Sequence, residues 1–274
     1  MIFIYSLILI LTLIIIIAIL IYNCKDKFTD KFSHQKYGRI EKIKNPFIKN
    51  SKILWATDLN NNFIKKNWPN TFDFDFDIKK DIIENIKKLP KNHCIIDCGG
   101  HIGDLSIPIC DATIKLNRTD ILIFCIDPTY EKCEYVKYIA HINNYHNLKV
   151  LYCGLYDTNK KLCNSGNVTD NNSGSTNWNN SKKTNECTNF YSIDYLLSNN
   201  IISQKIGILH LDVEGHEFQV LQGIKDFDSI NYISCELHDC NDEQIKIKDK
   251  ITKFLIFKNY KNSKRLNANE IFIK

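Results

Sequence analysis

Read for where apolar residues recur, the chain falls into three stretches. Residues 2–22, IFIYSLILILTLIIIIAILIY, are apolar almost throughout and carry no charge. As a helix they would reach about 32 Å, enough to cross a hydrocarbon core of roughly 30 Å. Residues 23–66 are polar and basic without a clear period, and read as a juxtamembrane linker or a partly ordered lead-in. From residue 67 to 274 the pattern is that of a folded domain. Ile78, Ile82, Ile83, Ile86 and Leu89 share one face of a helix that Pro90 ends. Short apolar runs then alternate with helical periods. Strands are predicted at 94–97, 121–127, 149–155, 206–211 and 232–237, helices at 102–116, 130–144, 192–197, 217–223 and 242–257, and a last strand in NEIFIK. Such alternation predicts an α/β domain with a mostly parallel sheet covered on both faces. A ligand of such a sheet lies beyond the carboxyl ends of its strands. One polar insert, residues 162–188, interrupts the alternation; it reads either as a loop or as a lid facing a substrate.

Composition changes this picture little. An apolar share of 44% and a charged share of 24% belong to a packed protein. The net charge of +5 is modest, and no stripe of arginines and aromatics suggests a nucleic-acid partner. Eleven cysteines show neither CxxC pairs nor zinc-site spacing, so they read as reduced, buried, small hydrophobes. No basic residue precedes the apolar run, which is also longer than a signal-peptide core, so a retained anchor in a lipid bilayer is expected. Lys25, Lys27, Lys31, Lys36 and Arg39 follow it, which predicts a single-pass protein with its body in the cytosol. Four N-x-[ST] sequons, at Asn117, Asn167, Asn171 and Asn179, point the other way, but arise by chance in an Asn-rich chain.

The stretch IIDCGGHIGD, 95–104, carries the chemistry. Asp97 ends a strand, and Gly99, Gly100 and Gly103 occupy the turn into a helix, with His101 among them. Bare backbone turns tightly and lets a ligand approach, while a helix start offers free N–H groups. The first glycine of G-x-G-x-x-G is absent, since Cys98 stands there. An acid at the strand tip repels a pyrophosphate but suits an ammonium, which implies S-adenosylmethionine. Asp127 ends the next strand and can accept from two ribose hydroxyls; Asp157 follows the third and can receive an adenine amino group. The plain alternative is that these acids cap helices.

These blocks, with SIDYLL, ILHLDVEGHEFQVLQGI and ISCELHD, resemble the FkbM-type methyltransferases over some two-thirds of the chain. The resemblance implies a Rossmann-like class I methyltransferase fold, a seven-stranded, mostly parallel sheet with a terminal antiparallel strand. It also implies methyl transfer to a hydroxyl of a sugar, glycan or related metabolite. Gly100 and His101 stand where the family usually has Ala and Asn, and Asp127 where Glu is commoner. Other acceptors, a small molecule or a protein, and a catalytically silent binding domain remain open.

Asp212 and Glu214 follow the fourth strand of the alternation, Glu236 and His238 the fifth, so all four should border the same crevice. Two roles are open. His238 can serve as general base. Alternatively Asp212, Glu236 and His238 hold a divalent cation, Mg²⁺ or, given the histidine, Mn²⁺ or Zn²⁺, that acidifies the acceptor hydroxyl. Gly215 should permit a tight turn, while His216 and Glu217 read as helix-start residues and His210 as a core histidine. Trp178 could stack on a sugar or sit in an exposed loop.

Overall fold

The computed structural model describes residues 37–57, 70–165, 178–180 and 186–274; the apolar run at 2–22 lies outside them. The chain divides into two units, residues 1–39 and 40–274. No helix among the described residues is long and apolar enough to cross a membrane.

A hairpin, β1 (Arg39–Lys44) and β2 (Lys52–Thr57), precedes a 3₁₀ turn and α1 (Phe76–Ile86). The alternating body follows: β3 (His93–Cys98), α2 (Ser106–Lys115), β4 (Leu122–Asp127), α3 (Tyr130–Ile142) and β5 (Leu148–Tyr152). Four short strands come next, β6 (Gly154–Leu155), β7 (Lys160–Asn164), β8 (Trp178–Asn179) and β9 (Cys187–Tyr191), then α4 (Ile193–Ser198). The body ends with β10 (Lys205–Leu211), α5 (Glu217–Gln222), β11 (Tyr232–Glu236), α6 (Asp242–Phe257), β12 (Lys261–Leu266) and β13 (Asn269–Ile273).

The main sheet has seven strands in the order β12-β13-β11-β10-β3-β4-β5. β11, β10, β3, β4 and β5 pair in parallel, and β13 runs antiparallel between β11 and β12. The expected sheet is therefore present. Its central strands are near-continuous apolar runs because helices cover both faces; in β3, Cys94 to Cys98 are all buried. The chain order reverses at β3, between β4 on one side and β10 on the other, which is where such sheets open a crevice.

Four expectations need correction. The residues read as linker contain β1 and β2, where Ile53, Trp55 and Ala56 are fully buried; Trp55 packs edge-on against Phe72 at 5.1 Å and Tyr135 at 5.8 Å. The predicted strand at 149–155 is two, because the chain leaves the main sheet after Tyr152 and Gly154 starts a second, four-stranded sheet in the order β6-β9-β7-β8. Part of the polar insert thus has structure. The second helix starts at Ser106 and not at 102, since His101 and Gly103 both take positive φ, 44° and 81°. Finally, Cys163 and Cys187, register partners on β7 and β9, are joined by a disulfide with Cα atoms 4.0 Å apart. The other described cysteines are free thiols, all buried but Cys240. Burial pushes Cys94 and Cys153 up to about 12, so they pack as apolar groups.

A buried acid is one of the polar ties between the hairpin and the body, beside Asn143, which pairs twice with Leu54. Asp111 of α2 accepts from Asn45 Nδ2 at 2.7 Å, Ser51 Oγ at 2.6 Å and Tyr145 OH at 3.3 Å. Asp111→Ala would strand those donors. It should cost about 3 kcal/mol, or roughly 10 °C in Tm for a domain of this size. A thermal melt within 2 °C of wild type would show that the hairpin is held by its apolar contacts and by its other hydrogen bonds, such as those between Leu54 and Asn143.

Candidate active site

A cavity of about 480 Å³ lies where the sheet order reverses, beyond the carboxyl ends of the strands. It is lined by the loop after β3, the tips of β4, β10 and β11, the 74–79 segment at the start of α1, and Trp178 and Phe190 of the small sheet.

The glycine loop is fixed by backbone bonds to both neighbouring strands. Gly99 and Gly100 donate to the carbonyl of Ile126, at 2.9 and 3.0 Å, while Asp212 N donates to Cys98 O at 3.0 Å. The glycines are required chiefly by this packing. A Cβ on Gly99 would sit 1.7 Å from Asp212 O, and its φ of 83° already disfavours any side chain. On Gly100 a Cβ would meet Cys125 Sγ at 2.2 Å. Close approach of strand to loop, more than of ligand to loop, explains these two.

Asp127 turns both carboxylate oxygens to backbone donors, Oδ2 to His101 N at 3.0 Å and Oδ1 to Thr129 N at 2.8 Å. Each oxygen keeps a second lone pair, and the residue borders the cavity. His101 therefore serves through its main chain. Asp97 is only 1% exposed and accepts a short bond from Ser106 Oγ. Burial pushes its carboxyl up to about 7. Asp157 is not brought to the cavity. Its carboxylate accepts from Thr158 Oγ1 at 2.9 Å and lies 3.5 Å from Lys160.

Asp212, Glu214, Glu236 and His238 all line the cavity, as expected. Leu211 and Cys235 are register partners, so Asp212 and Glu236 follow each other across adjacent strand tips. Burial first, then the hydrogen bond and charge of Glu236, raise the Asp212 carboxyl well above the carboxylate range. Burial beside Glu236 thus favours the uncharged form of Asp212. His238 Nε2 stands 3.8 Å from Glu236 Oε2 with its side chain 46% exposed. Among the described residues no group of three or more His, Cys, Asp or Glu is arranged to hold a metal. The expected Asp212, Glu236 and His238 set is therefore not found as a metal site among the described residues.

Several lining residues were not anticipated. His210 is buried and bonded to Ser234 Oγ at 3.2 Å, as a core histidine would be, yet it also borders the cavity. Ser234 spends its proton on Asn269 Oδ1 at 3.0 Å, so His210 Nδ1 must be the donor. Burial lowers His210 to about 4, so it is neutral. His216 packs edge-on against Tyr156 at 5.3 Å and Phe190 at 6.5 Å, and lines the cavity beside Trp178. Trp178 is neither exposed nor in a loop: it is 4% exposed, in β8. Glu217 does open α5, and its Oε1 accepts from Val213 N and Gly215 N, fixing the turn at Gly215. Lys79, Asp75 and Asp104 complete the wall.

The sequence profile described as the Methyltransferase FkbM domain matches residues 97–263, from the strand-tip acid to the start of β12. The chain belongs to the FkbM methyltransferase family. None of the curated proteins matches it. Among solved structures, an FkbM methyltransferase from Methylobacillus flagellatus is 14% identical with a TM-score of 0.45, covering 67% of this chain and 44% of its own. This FkbM chain thus spans under half the length of that structure. A putative rRNA-methylase from Clostridium thermocellum is 10% identical with a TM-score of 0.40, covering 70% and 93% of the two chains. An S-adenosylmethionine-dependent methyltransferase from Aquifex aeolicus is 8% identical with a TM-score of 0.37, covering 71% and 87%.

Asp97 provides a check on the electrostatics of this FkbM site. Its folded carboxyl lies above the ordinary value, so the folded state holds a proton the unfolded chain has lost, and stability falls as pH rises from 3.8 to about 7. Asp97→Asn removes this penalty. Relative to wild type it should gain about 3 kcal/mol between pH 5 and pH 8 in denaturant titrations. A difference that stays constant with pH would mean that Asp97 is ionised in the fold.

Proposed function

We propose that this chain is an S-adenosylmethionine-dependent O-methyltransferase acting on a hydroxyl of a sugar or glycan. The observation that carries it is the juxtaposition, in one cavity of the FkbM fold, of Asp127 beside the glycine loop with the Asp212 and Glu236 pair. The residues fit the cofactor: the remaining lone pairs of Asp127 suit the two ribose hydroxyls, and the loop 99–103 presents bare main chain beside them. Bound there, S-adenosylmethionine supplies an electrophilic methyl group on a cationic sulfur. The chain's task is then alignment and proton removal. Glu236, at the strand tip beside Asp212, offers a carboxylate oxygen to take the acceptor's proton, and His238 at 3.8 Å passes it to solvent. The wall of Trp178, Phe190 and His216 supports an acceptor with a C–H face, such as a pyranose ring.

Isothermal titration with S-adenosylmethionine tests the cofactor half. Asp127→Ala should weaken binding roughly 100-fold, the worth of two charge-assisted hydrogen bonds. No heat from the wild-type protein at millimolar cofactor would leave a silent binding domain as the reading. For the chemical half, transfer of labelled methyl to a panel of free sugars and glycosides is measured. Glu236→Gln should cut turnover about 100-fold and His238→Ala about 10-fold, with cofactor affinity near wild type. Full activity in Glu236→Gln would remove the pair from the mechanism.

Residues 2–22 are proposed to anchor the domain to a bilayer, on the strength of their length and lack of charge. The full chain should stay with membranes through a carbonate wash; release into the supernatant would contradict the anchor. On orientation the residues pull apart. The basic residues after the run support a cytosolic body, whereas the Cys163–Cys187 disulfide supports an oxidising surrounding.

A further inference from the structure

Among the described residues, the cavity is lined by many carboxylates but by two lysines, Lys79 and Lys132, and no arginine. Lys79 is the more unusual. Its side chain is 0% exposed, and its ammonium donates to the carbonyl of Phe74 and, at 3.3 Å, to Asp104 Oδ2. Asp104 follows Gly103 at the turn into α2, and its side chain is 14% exposed, whereas Asp97, which also borders the cavity, is only 1% exposed. On its other side His101 Nδ1 stands 3.9 Å from Asp104 Oδ1. Burial alone would raise the Asp104 carboxyl, but the Lys79 ammonium and His101 outweigh it and hold the group at about 2. Asp104 is therefore a permanent anion facing the cavity. Asp97, the acid that the loop motif itself suggests, is covered and partly protonated near neutral pH.

We propose that Asp104 is the group that receives the α-ammonium of the cofactor's amino-acid end, with Lys79 as the positioning residue that fixes it. The assignment rests on the S-adenosylmethionine reading above and deepens it. A cation entering the cavity beside the glycine loop meets in Asp104 a lining carboxylate that Lys79 holds ionised. An ion pair buried on one side loses little by accepting a further cation, because Lys79 offsets a single charge and the carboxylate has lone pairs to spare. Asp97 then has a packing role, tying β3 to α2 through Ser106. Lys79 comes from α1, ahead of residues 97–263 that match the family, so this part of the site is built by a segment outside the match.

Three ligands separate the possibilities by calorimetry: S-adenosylhomocysteine, decarboxylated S-adenosylmethionine, and 5′-methylthioadenosine, which lacks the amino-acid end. Asp104→Asn should weaken the first two at least 10-fold and leave the third within twofold. Asp97→Asn should not show that selectivity. Lys79→Met should make S-adenosylhomocysteine affinity fall below about pH 6, where the wild type stays level, and Lys79→Arg should restore the level profile. Should Lys79→Met fail to fold, the Asp104→Asn comparison stands by itself. Selective loss in Asp97→Asn, an equal loss of all three ligands in Asp104→Asn, or unchanged binding of decarboxylated S-adenosylmethionine there would each overturn the assignment. If wild-type protein binds none of the three ligands, the cofactor reading fails, and this assignment falls with it.

Discussion

The contact on which the site depends is the one between the Cα of Gly99 and the carbonyl of Asp212. No side-chain atom fits in that gap, since a Cβ would lie 1.7 Å from the oxygen. Because nothing intervenes, Cys98 O can take the amide of Asp212, and Ile126 O can take those of Gly99 and Gly100. Three strand tips are thereby pinned in one plane around a single bend. Asp127, Asp212 and, one strand further, Glu236 inherit their positions from it. The positions of the cavity's acids are thus set by main-chain geometry, and the side chains add charge to a frame already fixed.

That frame explains why so many acids coexist in 480 Å³. Each is neutralised in a different way. Asp97 is covered and raised by burial, with Ser106 on one oxygen. Asp127 is satisfied by two amides. Asp104 has the ammonium of Lys79, and burial beside Glu236 favours the uncharged form of Asp212. A lone charge of this kind would be costly, whereas each of these has its own compensation. Environments that push neighbouring acids apart in this way divide them between charge recognition and proton handling.

Much of this was legible in the sequence because it follows from period and position. Buried parallel strands announce themselves as short apolar runs, and acids directly after them must fall at one edge of the sheet. Asp97, Asp127, Asp212, Glu214, Glu236 and His238 all reach the cavity for that reason. Asp157 does not, because the strand before it leaves the main sheet after Tyr152 and carries the acid away. The small sheet was hidden by composition. β7 and β8 flank an Asn- and Ser-rich stretch with no alternation, yet Leu162, Trp178 and Phe190 bury a core of their own. β12, KNSKRL, shows almost only exposed positions and reads as a tail. The disulfide has no local spacing signal at all, since its cysteines stand 24 residues apart and meet only through strand register.

Lys79 marks the boundary between what pattern can and cannot show. It precedes Ile82 and Ile83 by three and four residues and Ile86 by seven, so it sits on the apolar stripe of α1. A lysine on such a stripe must either snorkel out or find a buried anion. The sequence therefore contains a reason to look for a partner, though not its identity. Asp104 supplies it from a different element, with the helix start after Gly103 placing the acid against α1. An acid in that place would ordinarily be assigned to the start of α2, whose amides favour negative charge. It is the lysine from outside the family match that turns it into part of a ligand site, because a carboxylate already held by one cation is oriented before a second arrives.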